Sequence, residues 1–421
     1  MRKIAPLIAI TFVANFISFG VGINAIAPLF PMISREIPLS PPQMGLIYSV
    51  ALIAIAICSI PSGTIGDRIG PRRVVMAGLL LVVISCAIRI LAYNVGMLMA
   101  ASFIGGMAVS CIYPHLPKVL SAYVPPERYS TAVAIGSVCG GDLGTSAGLG
   151  LAVPLALALT GWGAWRGVFG VVVIVAIILS ILWMVSTRGR GAMTSTSSST
   201  SSVSDEVEST REMIIKVLRN SQMWYLCGAQ FCIWSAMYSF VSFFPLIGIE
   251  FGFSEVLAGW MISSFALIAV PSEFAGGWFS DRIGWRRRII VVCALLVTLD
   301  YIGLSLATEA WIVHALCLFQ GVTFGFFYPL PFTMPLEIEG VGTSRASTAE
   351  GLLFTIGMCG GFFGPVVSGH ILEVTGVGYP FWHYIFCAVM FAIATILYFR
   401  MKETGWKARG RSVGLSGRSK V

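Results

Sequence analysis

The chain has 421 residues, of which 57% are hydrophobic and only 11% charged, less than half the roughly 25% charge of a soluble globular domain. That balance excludes a water-soluble body. The formal net charge of +8 would suit a nucleic-acid binder if the basic residues were gathered on one soluble face, and they are not.

Cutting the sequence at charged and turn-forming residues leaves twelve apolar blocks long enough to cross a ~30 Å hydrocarbon layer as helices of about 20 residues. They lie near 5–30, 44–63, 74–92, 96–120, 130–157, 167–186, 222–247, 255–276, 289–307, 311–334, 347–372 and 379–399. The expected fold class is an all-α membrane protein with twelve transmembrane helices. The first block follows only Arg2 and Lys3 and carries Asn15 and Asn24, which makes it too long and too polar for a signal-peptide core and predicts a retained span. Every Lys and Arg except Arg35, Arg89 and Arg166 falls at or near one face of the alternating spans. The excess of positive charge on that side predicts a multi-pass cell-membrane protein with both termini in the cytoplasm. A basic cytoplasmic rim accounts for the net charge without nucleic acid.

The second block runs into GTIGDRIGPRR, Gly63 to Arg73, and the eighth runs into GWFSDRIGWRR, Gly277 to Arg287, at an offset of 214 residues. In the fourth and tenth blocks IYP at 112–114 answers FYP at 327–329, and Gly106 answers Gly321. RYSTA at 128–132 answers RASTA at 345–349. After the sixth block, every residue from Thr194 to Ser204 except Val203 is Ser or Thr, which reads as a solvated connector or as a phosphorylated regulatory segment. Met213, Ile214, Val217 and Leu218 then share one helical face, as in a short helix lying on a membrane surface. The expected organisation is a six-helix half over 1–186, a Ser/Thr-rich linker with a short amphipathic helix over 187–220, a second six-helix half over 221–400 and a basic tail over 401–421. A duplicated six-span unit is a known plan for transporters that work by alternating access.

With these residues in hand, the chain resembles the major facilitator superfamily over nearly its whole length. The family's loop signature between helices 2 and 3 is matched by Gly63, Asp67, Arg68, Gly70, Arg72 and Arg73. Its copy between helices 8 and 9 is matched by Gly277, Asp281, Arg282, Gly284, Arg286 and Arg287. Gly70 and Gly284 suit a tight turn, Gly63 and Gly277 close helix packing, and the arginines an anionic headgroup zone. The resemblance implies that Asp67 acts as a latch toward the start of helix 11 near Arg345 and Ser347. The plain alternative is a solvated turn whose acid pairs with its own loop arginines.

Polar groups inside apolar spans are candidates for a solute or proton pathway, because each is costly in hydrocarbon. Lys118, Glu337, Glu339, Glu350 and Glu373 lie close enough to span ends to reach water. Asp300 lies in span nine, which the resemblance makes peripheral. His115 follows Pro114 in span four and reads either as a pathway group or as a hydrogen-bonded packer. Asn15, Asn24, Gln230 and Gln320 complete the uncharged set, and Asp142 and Glu273 are the leading pair. Asp142 sits in GSVCGGDLGTSAG, which is similar to the helix-5 signature of nitrate/nitrite porters with Asp in place of Asn. That subgroup's two anion-binding arginines correspond here to Ser59 and Glu273. A desolvated anion is not held by a hydroxyl and a carboxylate, so the substitution argues against nitrate or nitrite. It favours a neutral or cationic solute, or an organic acid carried with protons.

No phosphate-binding loop, hydrolase elbow or zinc motif occurs, the four histidines are isolated and the ten cysteines are scattered among apolar residues. The reading is a secondary transporter without enzymatic activity, cofactor or metal. It is expected to work as a monomer in the lipid bilayer on a small-molecule substrate, by proton-coupled uptake, with export and transport-free sensing as alternatives.

Overall fold

A computed structural model describes residues 5–121, 124, 132, 134–186, 218–338, 341 and 346–405. Among them are twelve helices long and apolar enough to cross a membrane. They are α1 (Ala5–Ser34), α2 (Pro41–Gly66), α3 (Pro71–Ile90), α4 (Val95–Leu120), α5 (Gly140–Ala158) and α6 (Trp165–Ser186), then α7 (Ser221–Glu250), α8 (Glu255–Ile283), α9 (Arg287–Leu306), α10 (Ala310–Thr333), α11 (Ala349–Thr375) and α12 (Phe381–Arg400). The Ser/Thr segment, nearly all of the 211–219 amphipathic stretch and the tail from 406 onward lie outside the described residues.

Chain contacts divide the protein into two compact units. One comprises Met1–Ser201, Val241–Leu267 and Pro365–Tyr379, so it joins the first repeat to one end of α7, α8 and α11. The other comprises Ser202–Phe240, Ile268–Gly364 and Pro380–Val421.

Helix boundaries follow local chemistry. Ser40 begins α2, its backbone N–H donating to Gln43 Oε1 at 3.0 Å, with Pro41 in the first turn where a missing N–H costs nothing. Asn94 caps α4 by accepting from the Met97 N–H at 2.9 Å. The signature loops turn tightly, as their glycines suggest. Helical geometry continues from α2 to Ile69, and α3 starts at Pro71. The reversal therefore falls on Gly70 alone, at φ 90°. After α8 the reversal takes Gly284 to Arg286 and is led by Gly284 at φ 76°, a conformation that L side chains adopt only with strain. A side chain at Gly63 or Gly277 would meet nothing among the described residues, so neither makes there the close helix contact expected of it; that contact falls on Gly66, against His115, and on Gly276, against the Phe326 backbone.

In the first unit α1 is not a continuous α-helix. Phe16–Val21 widens into a π turn, which removes the regular partners of nearby carbonyls. Asn24, almost fully buried, replaces them: its Nδ2 donates to Phe19 O and Gly20 O, both at 3.1 Å, and to Thr145 Oγ1 at 3.2 Å, while its Oδ1 accepts from Tyr48 OH at 2.7 Å. One side chain thus ties α1 to α2 and α5. In the second unit Glu403, just past α12, accepts from the backbone N–H groups of Arg286 and Arg287 at 3.0 and 2.9 Å. A carboxylate there satisfies the start of α9 and opposes its dipole.

Replacing Asn24 with leucine should leave the Tyr48 hydroxyl and two carbonyls without their buried partner, at about 2 kcal/mol or more. Thermal unfolding of the purified protein should drop by several degrees, and an unchanged midpoint would show that the π turn satisfies its own carbonyls.

Candidate functional site

The glycine-rich run that opens α5 presents two stripes, each with the four-residue repeat of one helix face. On the first, a Cβ at Gly140 would meet Phe12 O at 2.6 Å, one at Gly144 would meet Phe16 O at 2.5 Å and one at Gly148 would meet Val21 Cα at 3.1 Å. Glycine at these positions lets the α5 backbone lie directly on the π turn of α1. Asn15 is fully buried beside the same seam, its Nδ2 2.9 Å from where a Gly141 Cβ would stand.

Asp142, Ser146 and Gly150 form the second stripe, and within the first unit this stripe closes on α8. The Ser146 and Ser263 hydroxyls lie 2.9 Å apart; Ser263 Oγ donates to Ser146 O at 2.8 Å, and Ser146 Oγ reaches Ser263 O at 3.2 Å. A Cβ at Gly150 would strike Ser263 Oγ at 2.6 Å, and one at Gly259 would strike Leu149 O at 2.8 Å. The same unit carries a second such crossing, between α2 and α11. There Gly45 lies against Pro365 O, and Gly369 against Pro41 and Pro42. Arg35 of the α1–α2 turn forms an ion pair with Glu255 at the start of α8. Helices of the first and second repeats are therefore interlocked at the end remote from the signature loops. Asp142, half-buried, stands one turn from Ser146 toward the signature end, on the same stripe. It is an ionisable group one helical turn from the serine pair.

The remaining candidates separate by role. His115, wholly buried in a 3₁₀ turn of α4 at Tyr113–His115, fills the space over Gly66. Gln230 accepts from Tyr398 OH at 3.4 Å, joining α7 to α12. Gln320 is buried on α10. Glu273 is half-buried on α8 within the second unit, one turn before Gly277. In the second signature loop Asp281 pairs with Arg286 at 2.7 Å, and Arg286 also lies 3.6 Å from Glu337. The side chain of Asp67, Arg345 and the side chain of Ser347, which together define the latch, lie outside the described residues.

Sequence reasoning missed one charged group. Arg89, expected near a turn, is 1% exposed inside the first repeat. Its Nη1 donates to Gly22 O, its Nη2 reaches Ser102 Oγ at 3.5 Å, and its guanidinium stacks 4.9 Å over the Phe169 ring. Its place in sequence, one residue before the end of α3, gave no sign that it turns inward.

The sequence profile of the Major Facilitator Superfamily matches residues 9–344. The chain belongs to this superfamily. It is 24% identical over 400 residues to the probable nitrate transporter NarT of Staphylococcus carnosus (strain TM300), covering 94% of each chain. It is 25% identical over 362 residues to the nitrite extrusion protein of Bacillus subtilis (strain 168), covering 83% of each. The uncharacterized transporter YycB of the same organism is 22% identical over 376 residues, covering 86% of this chain and 85% of that one. Among solved structures, a bacterial homologue of the human lysosomal transporter Spinster, in an inward-facing and unoccupied conformation, superposes with a TM-score of 0.75 at 19% identity over 94% of this chain and 96% of that one. Membership in the superfamily makes the protein a multi-pass secondary transporter of small molecules rather than an enzyme.

A superfamily transporter must open the end that α5 and α8 close. Cysteines at Ser146 and Ser263, whose hydroxyls already touch, should form a disulfide on oxidation. The oxidised protein should lose transport and recover it on reduction, whereas full transport in the crosslinked protein would show that this contact never opens.

Proposed function

We propose that the protein takes up a small neutral or cationic organic solute, or an organic acid with its proton, by proton-coupled alternating access, with its termini in the cytoplasm. The observation that carries this reading is Asp142, set one turn from the Ser146–Ser263 closure on the face of α5 that meets α8. An acid so near a seal that must break can gain or lose a proton in step with opening. Glu273 is the second ionisable group in this reading, and Asp67 the latch of the signature loop. The concentration of Lys and Arg on the signature side supports the orientation.

The named nitrate and nitrite relatives suggest an anion instead, and the side chains of this protein argue against it. Ser59 Oγ donates to Ile55 O of its own helix at 2.6 Å, and Glu273 places a carboxyl group where an anion would need a cation. The buried guanidinium of Arg89 already serves Gly22 O and Ser102.

Thermal-shift screening of the purified protein tests the solute class directly, since a ligand at 100 times its Kd stabilises by about 2.7 kcal/mol. Nitrate and nitrite are expected to give no shift, while a member of the neutral or cationic organic set raises the midpoint; a dose-dependent shift with nitrate would overturn the assignment. For the solute so found, Asp142→Asn should abolish accumulation driven by a pH gradient while leaving exchange between equal pH intact. Loss of both in well-folded protein would make Asp142 a solute ligand rather than a coupling group.

A further inference from the structure

The inward face of α9 carries Asp300, 3% exposed, with Tyr301 beside it. The opposite face shows Leu295, Leu299 and Leu306 at the surface, so the acid points into the second unit rather than toward lipid. Neither carboxylate oxygen has a hydrogen-bond partner among the described residues, nor do Gln320 Oε1 of α10 or Tyr384 OH of α12. These groups are neighbours: Asp300 lies within electrostatic reach of Tyr301, Tyr384 and Cys317, and Gln320 lies beside Tyr301. Tyr301 packs edge-on to Phe240 of α7 at 5.8 Å and against Phe391 at 5.6 Å, which walls the group off. Buried polar atoms without partners are rare because burial strips their water and returns nothing for it, and an acid with both oxygens unpartnered near two further unpartnered oxygens calls for a common explanation.

The first repeat supplies it. The two repeats are offset by 214 residues at the signature loops and by 216 at the starts of α1 and α7. Carried across at 214, the offset of the adjoining signature loops, Arg89 falls on Gly303, one turn from Asp300 on the same helix. Where α3 of the first repeat turns a guanidinium inward, α9 of the second turns a carboxylate inward. The groups facing Asp300 are Tyr301 on its own helix, Cys317 on α10 and Tyr384 on α12; Gln320 and Cys387 lie against Tyr301, and buried His383 packs edge-on to Tyr384 at 5.1 Å. Among the described residues no Lys, Arg or His forms an ion pair with it.

We propose that Asp300, with Gln320, Tyr301 and Tyr384, forms a binding site for a single positive charge from solution, which occupies the second repeat where the Arg89 guanidinium occupies the first. One carboxylate balances one charge, and carboxylate, amide and hydroxyl oxygens suit a hard monovalent cation or a proton, not a transition metal. The proposal does not depend on the roles of Asp142 and Glu273 or on the solute.

The test is thermal unfolding of the full-length protein in detergent, in sodium chloride against choline chloride at equal ionic strength, across a pH series. A sodium site raises the midpoint by several degrees in sodium over choline. A proton site gives equal midpoints in the two salts that fall as pH rises. Either dependence should vanish in Asp300→Asn, persist in Asp142→Asn and weaken in Tyr301→Phe, which serves if Asp300→Asn does not fold. A wild-type protein indifferent to both sodium and pH, or a dependence unchanged in Asp300→Asn and Tyr301→Phe, overturns the proposal.

Discussion

Inside hydrocarbon a helix that leaves α geometry must find new donors for the carbonyls it frees, and the first repeat is organised around meeting that demand in α1. The π turn at Phe16–Val21 is served on both flanks by buried side chains, with Asn24 donating to Phe19 O and Gly20 O and Arg89 donating to Gly22 O. The same turn sets the glycine stripe of α5, because only backbone without side chains fits against it at Gly140, Gly144 and Gly148. Once that stripe is fixed on α1, the helix periodicity turns Asp142, Ser146 and Gly150 toward α8. The position of the candidate acid therefore descends from a backbone irregularity on another helix.

The two repeats have kept a common scaffold while exchanging its chemistry. Both signature loops reverse on a glycine of positive φ. In the second, the aspartate is held by an arginine of its own loop, Asp281 to Arg286, with Glu337 behind and Glu403 across the start of α9. That is the solvated-turn arrangement expected as the alternative to a latch, realised in the second repeat. The inward faces of α3 and α9 diverge in the same manner, one carrying a cation and the other an acid.

The twelve spans, the duplication and the family were legible because hydropathy, glycine content and repeated motifs are properties of the chain itself. Asn24 was legible as a polar residue in an apolar span but not as a clasp for a π turn, since helical irregularity leaves no mark in periodicity. Ser146 and Ser263 are ordinary residues in sequence, and their pairing depends on a crossing between helices 117 residues apart. Arg89 was misread because distance from a helix end stood in for depth; a side chain that long can turn inward as easily as it can reach water. Asp300 was noticed and set aside, because the neighbours that make it unusual come from three other helices.

The strength of the far-end closure bears on how such a protein can cycle. Glycine crossings bring backbones together without large interlocking side chains, so they part without repacking a core. The serine pair contributes hydrogen bonds worth about 0.5–1.5 kcal/mol each. Arg35 is 69% exposed where it meets Glu255, which limits that pair to about 1 kcal/mol at most. A seal assembled from such parts holds by a few kcal/mol, the scale on which two conformations remain interconvertible and a bound solute or ion can tip the balance between them. A closure built from buried charges or interdigitated aromatics would hold more firmly and would resist opening by any ligand that binds with ordinary affinity.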